Sequence, residues 1–168
     1  MNTNIYGRFT NFVNNSSDKN EVNISGNLTS NNTYGYISAT GTAQSLPNTV
    51  LATLDTYWDT VPILSGQYPP TYANGIFTLP TDGVYIASFD CFILTGNGER
   101  TAYLLVDSVV KGATIEIRNT ASGNGMNGSA VFRAQRNSTV RVQVLQNSGG
   151  ILNTSSIYDA EFAVYKIG

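Results

Sequence analysis

Residues 74–94 read NGIFTLPTDGVYIASFDCFIL, and the organisation of the chain follows from them. Asn74-Gly75 suits a tight turn, because both residues accept the left-handed backbone such turns need. A short apolar strand follows, and Pro80-Thr81-Asp82-Gly83 makes a second turn. From Val84 to Leu94 successive side chains point to opposite faces of a long strand. One face carries Tyr85, Ala87, Phe89, Cys91 and Ile93; the other carries Val84, Ile86, Ser88, Asp90, Phe92 and Leu94. Both are mostly apolar, so both need cover. This is the heart of an all-β sandwich.

Working outward, the same period of two recurs. Tyr34, Tyr36 and Ile37 open a first strand, and a further strand over 49–54 follows the Leu46-Pro47-Asn48 turn. Tyr57, Trp58, Val61, Ile63 and Leu64 form an apolar run interrupted by Pro62, which lacks a ladder donor and marks an irregular edge segment. Tyr68-Pro69-Pro70-Thr71-Tyr72 reads as a loop for the same reason. Downstream, strands over 101–106 and 109–117 flank an Asp107-Ser108 turn, and Asn119 to Gly128, with three glycines, reads as a flexible loop. Strands over 129–134 and 139–145 read as a hairpin around Gln135-Arg136-Asn137-Ser138. In the second of these Val140, Val142 and Val144 alternate with Arg141 and Gln143, one face buried and one wet. Gly149-Gly150 turns toward a last strand over 157–167. Short strands at regular spacing with polar turns predict an antiparallel two-sheet jelly-roll sandwich over residues 34–168.

Residues 1–33 differ. They are rich in Asn, and their apolar residues, Ile5, Tyr6, Phe9, Phe12 and Val13 among them, are sparse. The segment reads as an irregular N-terminal arm, either loosely packed or an attachment segment with Ile5, Tyr6, Phe9 and Phe12 as its adhesive patch.

Composition narrows the function. Only 12% of the residues are charged, about half the usual share, so solubility rests on Asn, Ser, Thr and Gly. The nine basic residues are scattered and the net charge is −2, so no nucleic-acid partner is expected. No run approaches the length of a membrane span, and the N-terminus has no cationic start or apolar core of a secretion signal. Cys91 is the only cysteine, which excludes an intrachain disulfide; among apolar strand residues it reads as a small buried hydrophobe. Sequons such as Asn127, Asn137 and Asn153 arise readily in so Asn/Ser/Thr-rich a chain, and glycosylation is not expected.

The chain contains no histidine. That removes Ser-His-Asp and Cys-His nucleophile systems and the usual zinc sites. Gly123-Asn124-Gly125 lacks the Lys-Ser/Thr and the helix of a phosphate cradle. Asp55 with Asp59, or Asp159 with Glu161, could be drawn as a glycosidase pair, but solvated charge explains them better. No catalytic residue, resident metal or cofactor is expected. Calcium is the one ion that Asp side chains and loop carbonyls could hold, and no run of ligands marks a site.

The central stretch resembles the globular heads of complement C1q and tumour necrosis factor relatives. The resemblance rests on Phe77, Gly83, Tyr85 and Phe89 at the family's spacing. Ile37-Ser38-Ala39 up to Leu46-Pro47 matches the family's first strand and turn, Gly128-Ser129-Ala130-Val131 the strand before the final hairpin, and Phe162-Ala163-Val164-Tyr165 the closing strand. Ala87 stands where the family has an aromatic, Asn137-Ser138 replaces its Gly-Asp turn, and no collagen repeat precedes the domain. The resemblance implies a non-enzymatic jelly roll whose outer sheet face is covered by two further copies around a threefold axis. Ile86, Phe92 and Tyr165 are the residues expected at that interface; the alternative is cover from loops of the same chain. The expected role is a homotrimeric structural head on a virus or phage particle, as a fibre head or capsid decoration, with the arm holding it to a capsid or other particle protein. A second reading is a receptor- or glycan-binding module of a cell or spore surface, using end loops with Tyr68, Tyr72 and Asn124. A third is a single jelly-roll coat protein, against which the absence of a basic arm counts.

Overall fold

Strand-forming alternation runs through most of residues 34–168, and helix caps and 3.6-residue periods are missing there; the fold follows suit. The computed structural model describes residues 33–39, 43–94, 96–120, 124–155 and 160–168. The arm residues Ile5, Tyr6, Phe9 and Phe12 lie outside them. Among the described residues there is no helix. Thirteen strands follow in order: β1 (Tyr34–Ala39), β2 (Ser45–Leu46), β3 (Ala52–Thr53), β4 (Ile63–Ser65), β5 (Thr71–Ala73), β6 (Ile76–Thr78), β7 (Gly83–Ile93), β8 (Gly96–Val106), β9 (Val109–Thr120), β10 (Asn124–Ala134), β11 (Thr139–Asn147), β12 (Leu152–Asn153) and β13 (Ala160–Lys166).

They build two antiparallel sheets. One has the order β10-β7-β13-β1-β4, the other β5-β6-β11-β8-β9, with β3 added on β11 and β2 paired with β12 as a separate ribbon. The long strand expected over 84–94 is β7, central in the first sheet between β10 and β13. Its Tyr85, Ala87, Phe89, Cys91 and Ile93 are buried, as are Val140, Val142 and Val144 of β11 in the other sheet. Aromatic rings fill the space with tilted contacts: Phe77 on Phe162 at 4.9 Å, Trp58 on Phe162 at 5.8 Å, and Tyr57 on Trp58 at 4.8 Å. Cys91 is buried within this core and is not part of a disulfide.

Several expectations change. The segments 129–134 and 139–145 are not a hairpin: β10 belongs to the first sheet and β11 to the second. The four residues between them form a corner. Asn137 takes φ 68° and its N–H donates to the Leu79 carbonyl at 2.8 Å, the Leu79 N–H donates to the Ser138 carbonyl at 2.8 Å, and the Arg136 N–H donates to Asp82 Oδ1 at 2.7 Å. These bonds tie the β10–β11 corner to the β6–β7 connection, which crosses between the sheets beside it. The expected loop at 119–128 is mostly strand, since β9 runs to Thr120 and β10 starts at Asn124, where β7 offers a continuous ladder. Tyr72 lies in β5 rather than in a loop, because the Asn74-Gly75 turn folds Thr71–Ala73 back on β6. Of the strand expected over 49–54, Ala52–Thr53 forms a strand on β11, while the Thr49 and Leu54 N–H groups donate to the β11 carbonyls of Gln146 and Val142. The segment beyond Pro62 is the edge strand β4, as its proline requires.

At the end of the sandwich where β7 finishes, two buried glutamines replace missing ladder bonds. Gln44 Nε2 donates to the Thr53 carbonyl at 2.6 Å, and its Oε1 accepts the Thr56 and Tyr57 N–H groups. Gln146 Nε2 donates to the carbonyls of Leu46 and Gly150, and its Oε1 accepts the Ser148 N–H.

Gly35 sits on the inward side of β1. A Cβ there would come within 2.6 Å of the Phe77 ring and 2.9 Å of Pro70, both walled in. Gly35→Ala should therefore cost about 1–3 kcal/mol of stability, the usual penalty of overpacking. The check is the midpoint of urea unfolding with the slope unchanged.

Candidate functional site

The outward face of the β10-β7-β13-β1-β4 sheet collects the side chains that the core leaves over. Antiparallel pairing puts directly opposite residues on the same face, so the register sorts them into rows across the strands. One row holds Ser65, Tyr34, Tyr165, Ile86 and Val131. The next holds Ile63, Tyr36, Ala163, Ser88 and Ser129. A third holds Ser38, Glu161, Asp90 and Asn127, and beyond it Phe92 lies opposite Gly125.

The first row is aromatic and aliphatic. Tyr34 and Tyr165 stack with ring centroids 5.9 Å apart and planes at 23°. Tyr165 is 40% exposed and Val131 62%, with Ile63 of the next row at 54%; a lone sandwich leaves this face half in water. Burial raises the Tyr165 hydroxyl above its ordinary pKa, with the Glu161 charge and the Tyr34 and Tyr36 rings' hydroxyls adding to it. In the third row two carboxylates stand directly opposite each other, an unfavourable cross-strand pair. Partial burial, then the Glu161 charge, push the Asp90 carboxyl above its usual range.

Where the β7–β13 register stops after Asp90, a loop side chain takes over. The Tyr57 hydroxyl accepts the Phe92 N–H at 3.1 Å, while the Ser155 N–H donates to the Phe92 carbonyl at 2.7 Å. Tyr57 is pushed up to about 12, chiefly by burial, with the Phe92 N–H opposing and Cys91, Asp90 and Asp59 adding.

Ile86, Phe92 and Tyr165 thus occupy one face, with Ile86 directly opposite Tyr165 and Phe92 six residues along β7. The end-loop residues are not brought together. Tyr68 is exposed, its carbonyl accepting the Thr33 hydroxyl at 3.1 Å. Tyr72 lies half-buried against Phe77, ring centroids 4.9 Å apart, and burial lifts its hydroxyl to about 12. Asn124 is in β10 opposite Ile93. Thr71 aligns through Thr78 with Thr139, next to the corner that follows Ala134, and Ala134 pairs with Gly83. The Tyr72 and Asn124 segments therefore sit near opposite ends of β7, on the order of 30 Å apart at strand rise.

Sequence reading missed Tyr34, Tyr36, Val131, Ile63 and the Asp90–Glu161 pair on this face. Tyr34-Gly35-Tyr36 carried a signal, since an alternation with glycine puts both tyrosines on one side. The cross-strand pairing of Asp90 with Glu161 had none. Among the described residues no group of three or more His, Cys, Asp or Glu side chains converges as a metal site.

Several solved structures share this architecture. The chain superposes on the Eiger TNF of S. frugiperda with a TM-score of 0.59 at 12% identity, covering 82% of this chain and 93% of that one. Murine APRIL gives 0.57 at 9% identity, covering 80% and 99%. The globular domain of zebrafish complement 1qA protein gives 0.55 at 13% identity, covering 81% and 98%. The fold is a C1q/TNF-like jelly roll. No protein-family model and no curated protein matches the sequence. At these identities the likeness is one of fold, and the face must be read from its own residues.

Tyr57→Phe should leave the Phe92 N–H without its acceptor and cost about 1–3 kcal/mol in urea unfolding. Alkaline stability has a defined sign. Tyr57 and Tyr72 keep their protons to about 12 in the fold against an ordinary value of 10.0, so the unfolded chain ionises first. Stability is full below that ordinary value and falls as the pH climbs toward the folded one. Phenylalanine at both positions should flatten this limb in thermal melts taken across it.

Proposed function

We propose that this chain is a non-enzymatic structural protein: a homotrimeric jelly-roll head on the surface of a virus or phage particle, a fibre head or capsid decoration held by the arm of residues 1–33. The observation that carries the self-association is the row Tyr34, Tyr165, Ile86 and Val131, which stays half-exposed on a sheet whose other face forms the core. An apolar row spanning a sheet is an association surface rather than an ordinary wet face. Three copies arranged around an axis cover it in a closed assembly, with no adhesive face left over. The particle setting rests on composition: a polar character set by Asn, Ser, Thr and Gly, few charges, and a single cysteine, which is buried in the core.

Light scattering on the purified protein should give three times the chain mass. Ile86→Lys or Val131→Lys should weaken the trimer by roughly 30-fold or more, the loss typical of a central interface anchor, without lowering the solubility of the resulting monomer. Deleting residues 1–33 should leave a soluble trimer that no longer joins the particle; incorporation of the truncated head would rule out the arm as the anchor.

A further inference from the structure

The row of carboxylates lies between the two apolar parts of the proposed interface. Ile86 and Phe92 are six residues apart on β7, about 20 Å at strand rise, and Asp90 points out from the same face between them, with Glu161 directly opposite on β13. A surface that covers Ile86, Tyr165 and Phe92 together therefore covers this pair as well. Removing two like charges from water is costly unless they are paired or neutralised.

Among the described residues the rows around the pair hold no countercharge. Ser38 of β1 and Asn127 of β10 flank the pair in its row. Ser88 and Phe92 are its outward neighbours on β7, Ala163 on β13, and the Tyr57 hydroxyl caps the adjoining N–H. Asp59 is a further carboxylate acting on Tyr57. Among the described residues the cation on these outward rows is Arg133, opposite Val84 and six residues along β7 from Asp90. Lys166 donates instead to the Thr81 hydroxyl at 3.0 Å.

We propose that self-association through this face tightens as the pH falls, with Asp90, directly opposite Glu161, binding the protons that association takes up. This rests on the trimer reading above. The sign follows from linkage. Carboxylates buried beside one another hold protons more tightly than the same groups in water, so the assembled state binds more protons than the separated chains. Lower pH therefore favours assembly, and higher pH favours separation. Partial burial already pushes Asp90 in this direction in the single chain, and closing the face extends the effect.

The test is subunit exchange in the full-length protein. Two pools labelled at the amino terminus, one with a donor and one with an acceptor fluorophore, are mixed and energy transfer is followed. Dissociation limits the exchange, and affinity differences reside mainly in that rate. Between about pH 7.5 and about pH 5 the wild-type half-time should lengthen by at least roughly tenfold, the equivalent of one pKa unit. The Asp90→Asn/Glu161→Gln double variant should exchange at the higher pH as slowly as the wild type does at the lower, with no dependence between them. A stable trimer with a flat wild-type profile, or a variant that keeps the dependence, overturns this inference and leaves the trimer standing. A monomer by light scattering at every pH removes the trimer and this inference with it.

Discussion

Everything in this molecule depends on how β7 is held. It is hydrogen-bonded along its whole length to β10 and along more than half of it to β13, and its register is fixed by one face of alternating Tyr85, Ala87, Phe89, Cys91 and Ile93. A slip of one residue would exchange that face for Val84, Ile86, Ser88, Asp90 and Phe92, placing a carboxylate in the core. The core therefore sets the register, and the register sets what appears outside. The outward rows are a by-product of burying the right five residues.

Much of this was legible in advance. The alternating valines of β11, the edge position enforced by Pro62 and the turn at Asn74-Gly75 are local signals, and each carries its own physical cause. The β10–β11 corner was not legible, because four polar residues between two strands suit a hairpin and an inter-sheet corner equally well. What decides between them is remote: the Leu79 backbone and the Asp82 side chain on the neighbouring crossover take up the corner's donors and acceptors. Such partners are more than fifty residues away in sequence and leave no mark in the local pattern. The same holds for Asn124, whose glycine-rich neighbourhood suggests a loop until β7 supplies a ladder.

The outward face shows the same division. That Ile86 and Phe92 share a side follows from counting along one strand. That Tyr165 stands opposite Ile86, Tyr34 opposite Tyr165, and Glu161 opposite Asp90 needs the register between strands, which no single-strand pattern contains. The likeness to TNF and C1q heads at 9–13% identity makes a related point. The jelly roll survives when nearly every residue has changed, because it asks only for alternation, turns and a filled interior. The decoration of the outer sheet is free to differ between proteins of this shape.

The two glutamines at the end of the sandwich carry a consequence of a different kind. A primary amide presents the same donor and acceptor as a peptide unit, so Gln44 and Gln146 act as grafted lengths of backbone that finish the weave where β2, β3 and β12 are only two residues long. The connecting segments there are held by these amides rather than by long ladders. That rim can accept loops of new length and composition, provided the two amides keep their partners, while the interior stays as it is.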